Sequence, residues 1–151
     1  MEYGICHLSI APLRNENSHK SELISQLLYG DCFKVISKKN EWLQIATITD
    51  DYSGWIDYKQ TQLITKGEAE DISFTINSYS SSLVDYIETS EKKLISLVLG
   101  SNIGAAKFLG HEFKGSIIKV KKPKSNLLKT ASLYLHSPYL WGGKTPMGID
   151  C

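Results

Sequence analysis

The sequence predicts a mainly β protein: two small strand-built barrels, followed by the first helix and a loop of an α+β domain. Three observations carry that reading. Short apolar runs broken by polar turns fill the first 65 residues, and a second strand-rich stretch reaches residue 120. Beyond Pro123 the apolar period lengthens to that of a helix, and the last fourteen residues combine aromatics, a glycine pair and one cysteine. The predicted units are residues 1–65, a divergent second barrel over 73–122, and an incomplete third unit over 125–151.

In the first unit, Cys6, Leu8 and Ile10 alternate with His7 and Ser9, the pattern of a half-buried strand. Residues 14–21 read as a long polar loop. Gln26-Leu27-Leu28 is largely apolar, Tyr29-Gly30-Asp31 is a turn, and Phe33-Lys34-Val35 resumes strand character. Lys38-Lys39-Asn40 turns the chain into Trp42-Leu43-Gln44-Ile45-Ala46, and Thr49-Asp50-Asp51 turns it into Gly54-Trp55-Ile56. Strands at that spacing favour a small barrel.

Residues 66–72 are charged and read as a linker. In the second unit Phe74 and Ile76 alternate, Leu83 to Ile87 follows, and residues 94–99 form a buried run; helix across 83–99 is the open alternative. Gly110-His111-Glu112-Phe113 reads as a hairpin turn before Ile117-Ile118-Lys119-Val120. Lys119, Lys121, Lys122 and Lys124 around Pro123 read as a solvated linker. Leu127, Leu128, Ala131, Tyr134 and Leu135 then make one stripe of an amphipathic helix, with Ser125 or Asn126 as cap and Pro138 as terminator.

Composition narrows the function. The 151 residues are 42 % hydrophobic, enough to bury a core. Seventeen basic against sixteen acidic side chains give +1, which points to neither nucleic acid nor an anionic membrane surface. No apolar run approaches the roughly 20 residues that span a bilayer. Residues 1–6 lack the basic and apolar regions of a secretory leader, so the expectation is a cytoplasmic monomer, or a periplasmic or envelope protein whose leader was removed. The three cysteines, Cys6, Cys32 and Cys151, have no zinc-site spacing, and no metal or organic cofactor is expected. Cys6 and Cys32 read as buried thiols rather than a disulfide.

The terminal stretch is Pro138-Tyr139-Leu140-Trp141-Gly142-Gly143-Lys144-Thr145-Pro146-Met147-Gly148-Ile149-Asp150-Cys151. It resembles the segment that delivers the nucleophile in the NlpC/P60 family of cysteine peptidases, whose pattern is Pro-Tyr-x-Trp-Gly-Gly-x-x-Pro-x-Gly-x-Asp-Cys followed by Ser-Gly. Upstream, Pro12-Leu13-Arg14, Leu28-Tyr29-Gly30-Asp31, Trp42-Leu43-Gln44-Ile45 and Gly54-Trp55-Ile56 resemble a bacterial SH3-like domain. Residues 73–122 resemble a second, divergent one. The third unit would then open a papain-like α+β peptidase domain.

That resemblance implies hydrolysis of cell-wall peptides: cleavage after γ-D-Glu in L-Ala-γ-D-Glu-diamino acid peptides with a free N-terminal L-Ala. Cys151 would be the nucleophile, Asp150 the ligand of the L-Ala ammonium, and Tyr139 and Trp141 the cleft wall. Glu22 and Tyr52 would help hold the ammonium from the first barrel. A thiol near pH 7 is only a few per cent ionised, so such a cysteine needs a helix N-terminus and an imidazole to activate it. Gly148-Ile149-Asp150 reads as a turn ending in a cap, and the glycine pair as room for backbone to pass under a substrate.

Plainer readings stand beside these. Asp150 is a cap only, Tyr139 and Trp141 are core aromatics, Glu22 is a solvated acid and Tyr52 a turn aromatic. His136 closes a helix, and His7, His19 and His111 read as surface or turn histidines. The family's histidine and its Ser-Gly would follow Cys151, so the 151-residue chain alone is expected to be inactive, a fragment of a longer peptidase. The alternative is a non-catalytic SH3-like module that binds cell-wall peptides.

Overall fold

The computed structural model describes residues 1–75, 78–119 and 125–151. The first barrel is a seven-stranded antiparallel sheet: β1 (Tyr3–Ile5), β2 (Ile10–Arg14), β3 (Leu23–Leu28), β4 (Cys32–Lys39), β5 (Trp42–Thr47), β6 (Ser53–Asp57) and β7 (Gln62–Ile64). Their spatial order is β3-β2-β6-β5-β4-β1-β7. Alternation places Leu13, Leu27, Phe33, Val35, Leu43, Ile45 and Ile56 inward, where they enclose Cys6 and Ala11. The register of β4 on β5 slips between Val35 and Ser37, and beyond that bulge β4 turns outward with Ile36 exposed. The alternation predicted from Cys6 to Ile10 spans a break: β1 ends at Ile5, and Cys6 instead ties its amide to Asp31 and its carbonyl to Gly30.

The charged stretch after the barrel is a helix, α1 (Lys66–Glu70), continuing as a π-helical segment Asp71–Thr75. Thr65 accepts the Glu68 amide while the Glu68 carboxylate accepts the Thr65 amide, a capping box that satisfies two otherwise orphaned donors. The helix buries Ala69, and Ile72 follows it into the core. These residues are structural rather than a linker.

Beyond it come β8 (Ser78–Ser80), β9 (Val84–Glu88), β10 (Leu94–Val98), α2 (Ala106–Leu109) and β11 (Ile117–Lys119). β9 pairs with β10, and β11 with β8, each antiparallel. Residues 83–99 thus form a hairpin of two strands, not a helix. Gly110 terminates α2 rather than turning a hairpin, and Glu112 bridges back to Glu88. Ile76, Val120, Lys121, Lys122, Pro123 and Lys124 lie outside the described residues, as does the side chain of Lys119; the alternation and the basic run predicted there are not described.

One core joins the two units. Ile5, Tyr29 and Cys32 of the barrel pack with Ala69, Ile72, Ile87, Leu97, Ile103 and Ala105. At this seam the Asn102 amide donates to the Tyr29 carbonyl (2.8 Å), and the Tyr29 hydroxyl lies 2.9 Å from His111 Nδ1. Burial raises the phenol's pKa and lowers that of His111. His111 is therefore an interface residue, not a surface histidine. Cys6 and Cys32 are free and buried, and burial pushes both thiols up to about 12.

The last unit begins with α3 (Ser125–Ala131), extended by a 3-10 turn Ser132–Tyr134. The side chains of Ser125 and Asn126, the predicted caps, are not among those described. Leu127, Leu128 and Leu135 of the predicted stripe are exposed. Among the described residues no helix is long and apolar enough to cross a membrane.

Candidate active site

The terminal residues fold into a small knot. β12 (Lys144–Thr145) and β13 (Gly148–Ile149) form a hairpin whose turn is Pro146-Met147, so Gly148-Ile149-Asp150 is strand and exit rather than the turn expected. Tyr139 runs parallel to Ile149; the Leu140 amide donates to the Ile149 carbonyl and the Ile149 amide to that of Pro138. The Asp150 amide donates to the Gly143 carbonyl at 3.0 Å. Cys151 emerges from this knot exposed.

Asp150 closes the knot. Its Oδ2 accepts the Gly142 amide at 2.7 Å and its Oδ1 the Cys151 amide at 2.8 Å. Those two amides, the Gly142 one first, hold its carboxyl below the usual carboxylate range, with the Tyr139 hydroxyl adding in the same direction. Tyr139 in turn is pushed up by burial and by Asp150. Tyr139, Asp150 and Cys151 are therefore one cluster. A carboxylate offers about four lone-pair sites, and here the two amides, the Tyr139 hydroxyl and the Cys151 thiol draw on them. Trp141 stands in the turn, not on an extended strand, with 58 % of its surface exposed.

The knot rests on the first barrel. Gly142, with φ +71°, sits where a Cβ would come 2.6 Å from the Leu23 carbonyl oxygen and 3.0 Å from the Ile24 carbonyl carbon. Only glycine tolerates both that torsion and that approach. The Lys144 amide donates to Gln26 Oε1 at 2.7 Å. Gly142 thus meets the barrel, while Gly143 packs against Gly148; the room they provide is taken by the protein itself. Glu22 is exposed and immediately precedes this contact on β3. The Tyr52 hydroxyl donates to the Ile24 carbonyl at 3.3 Å, on the same stretch of backbone. Both first-barrel candidates therefore flank the strand that carries the knot.

Sequence reasoning missed Gln26, which reads only as a polar position in an apolar strand; nothing in its neighbourhood signals a partner 118 residues away. Arg14, read at the start of the polar loop and as the end of Pro12-Leu13-Arg14, donates from Nη1 to the Ser21 carbonyl at 2.9 Å and closes the loop just ahead of Glu22. His19 packs at a tilt against Trp42 and approaches Asp57 at 3.5 Å. Among the described residues no His, Cys, Asp and Glu cluster fit to hold a metal is present.

Residues 13–60 match the family described as the bacterial dipeptidyl-peptidase Sh3 domain. That match falls within the first barrel, from β2 to the turn after β6. The chain is 25 % identical to dipeptidyl-peptidase 6 of Lysinibacillus sphaericus over 171 aligned positions, covering 94 % of this chain and 63 % of that protein. It thus spans less than two thirds of the relative's length. An NlpC/P60 family protein from Bacillus cereus superposes with a TM-score of 0.70 at 17 % identity, over 99 % of this chain and 68 % of the other. That likeness shows a shared fold: a mainly β arrangement with a large antiparallel sheet.

Proposed function

We propose that the chain is the SH3-bearing part of a cell-wall peptide hydrolase of the cysteine type. The observation that carries this reading is the cluster itself: Tyr139, Asp150 and an exposed Cys151 meet on a turn seated against the Leu23–Ile24 backbone of the first barrel, which Glu22 precedes and the Tyr52 hydroxyl contacts. The fold shared with the NlpC/P60 protein and the similarity to dipeptidyl-peptidase 6 support it.

In this reading Cys151 attacks the carbonyl of the bond after γ-D-Glu in an L-Ala-γ-D-Glu-diamino acid peptide. Asp150, kept ionised by its amides, takes the free ammonium of L-Ala, whose burial requires an opposite charge. Glu22 and Tyr52 supply the barrel side of that subsite, and Tyr139 and Trp141 wall it. A base must take the thiol proton and return it to the leaving amine. No histidine among the described residues stands in the Cys151 cluster, so this chain alone is predicted to be inactive. The exposed stripe Leu127, Leu128 and Leu135 suits a helix covered by further peptidase residues.

The test uses the product of the complete coding sequence and its Cys151→Ala variant, incubated with L-Ala-γ-D-Glu-diaminopimelate. Release of the diamino acid by the parent and not by the variant is the expected result. Binding without release by either would replace the hydrolase with a module that binds cell-wall peptides, the reading favoured by a family match confined to residues 13–60.

A further inference from the structure

We propose that Gln26 is a positioning residue: from the first barrel it fixes the height and tilt of the turn that carries Asp150 and Cys151. Its catalytic consequence rests on the hydrolase reading above; its structural consequence does not.

β3 is an edge strand of the barrel sheet, hydrogen-bonded on one side to β2. An edge leaves backbone groups without strand partners, and proteins cover such edges. Here the cover is the terminal knot. The Ile24 carbonyl is engaged by the barrel's own Tyr52 hydroxyl, and Gly142 approaches the Leu23 carbonyl so closely that a Cβ there would lie 2.6 Å from its oxygen. The directed bond is therefore made one residue pair further along, between the Lys144 amide and the Gln26 side chain at 2.7 Å. A backbone amide only donates, so the carboxamide must present its oxygen, and its orientation is set.

The knot is stiff enough to transmit that anchor. Lys144 belongs to β12, paired with β13, and β13 leads directly to Asp150. Asp150 closes back onto Gly142 and onto the Cys151 amide, and its own amide closes onto Gly143. Residues 142–144 are thus held at one end by shape and at the other by Gln26, with the carboxylate and the thiol fastened to them. The Lys144 ammonium adds a charge attraction to Asp31 of the same barrel. Without the Gln26 oxygen the turn keeps its internal bonds but can rock on the Gly142 contact, carrying Asp150 and Cys151 away from Glu22 and Tyr52 together. A displacement of that kind opens the ammonium subsite and misplaces the thiol, so it weakens binding as well as turnover.

The experiment compares Gln26→Met, which keeps the length and removes the acceptor, with Gln26→Glu, which keeps an oxygen, both in the product of the complete coding sequence. Hydrogen exchange at the Lys144 amide is read alongside kcat and KM on L-Ala-γ-D-Glu-diaminopimelate. The methionine variant should exchange Lys144 faster by about tenfold, the value of one hydrogen bond, and lose kcat/KM through both a lower kcat and a higher KM. The glutamate variant should restore both. A methionine variant that exchanges and turns over like the parent would overturn the proposal, as would a folded glutamate variant that rescues neither. If the parent itself hydrolyses nothing, the hydrolase reading fails, and the Lys144 comparison alone decides the positioning role.

Discussion

Replacing Gly30 by alanine tests whether the barrel and the second unit are one cooperative body. Gly30 has φ +82°, and a Cβ there would lie 2.2 Å from the Asn102 carbonyl oxygen and 2.9 Å from the Asn102 Cβ. The left-handed torsion alone costs an L-residue about 1 kcal/mol. The contact adds more, because Asn102 has nowhere to go. It is buried, its amide is spent on Tyr29, its Nδ2 on the Ile72 carbonyl at 3.2 Å and its Oδ1 on the Gly104 amide at 3.0 Å. Relief means breaking at least one of these and stranding a buried polar group, about 1–3 kcal/mol. The whole substitution should therefore cost about 2–4 kcal/mol. Gly100→Ala isolates the torsion: φ is +89°, but the nearest atom to its Cβ is the Leu28 Cδ1 at 3.9 Å, so about 1 kcal/mol is expected. Urea denaturation of both variants at constant m-value reads the difference. If Gly30→Ala costs no more than Gly100→Ala, the Asn102 contact is not rigid and the shared core is not the seam described.

The cysteines give a second expectation: with a thiol-specific disulfide reagent at pH 8 the native protein should titrate one thiol quickly, Cys151, and all three only after denaturation. Two fast thiols would contradict the burial of Cys6 and Cys32. A third concerns Asp31, whose carboxyl burial pushes up from 3.8 to about 6 against the pull of the Leu28 amide and Lys144. Because the folded value lies above the unfolded one, the contribution is complete below about pH 4 and is lost as pH rises through about 6, a fall on the order of 3 kcal/mol. Asp31→Asn keeps an acceptor for the Leu28 amide and removes the charge, so it should gain on the parent by that amount between pH 4 and pH 7.5 in urea melts; a gap independent of pH would refute it.

What could be read from the sequence was whatever its cause lies within a few residues. The strand character of Phe33-Lys34-Val35 and the turn at Tyr29-Gly30-Asp31 are local patterns, and the structure contains both of them. The capping box of Thr65 and Glu68 was equally local, yet the surrounding charge suggested a linker; a threonine three residues before a glutamate, ahead of buried Ala69 and Ile72, was the signal. The alternation from Cys6 to Ile10 failed because the Cys6 backbone bonds across to Gly30 and Asp31, a competitor outside the window.

Gly142 shows where such reading ends. Its torsion demands glycine, and that demand is visible in the motif, but the reason for the close approach is the backbone of Leu23 and Ile24, far back in the chain. A substrate and a neighbouring barrel make the same demand on a glycine, so the residue type cannot tell them apart. The partner side is quieter still: a backbone carbonyl accepts whatever side chain follows it, and Gln26 contributes one oxygen that many polar residues would offer. The half of the site that belongs to the barrel therefore leaves little trace in composition or period, and it emerges only when the strand edge and the turn are brought together.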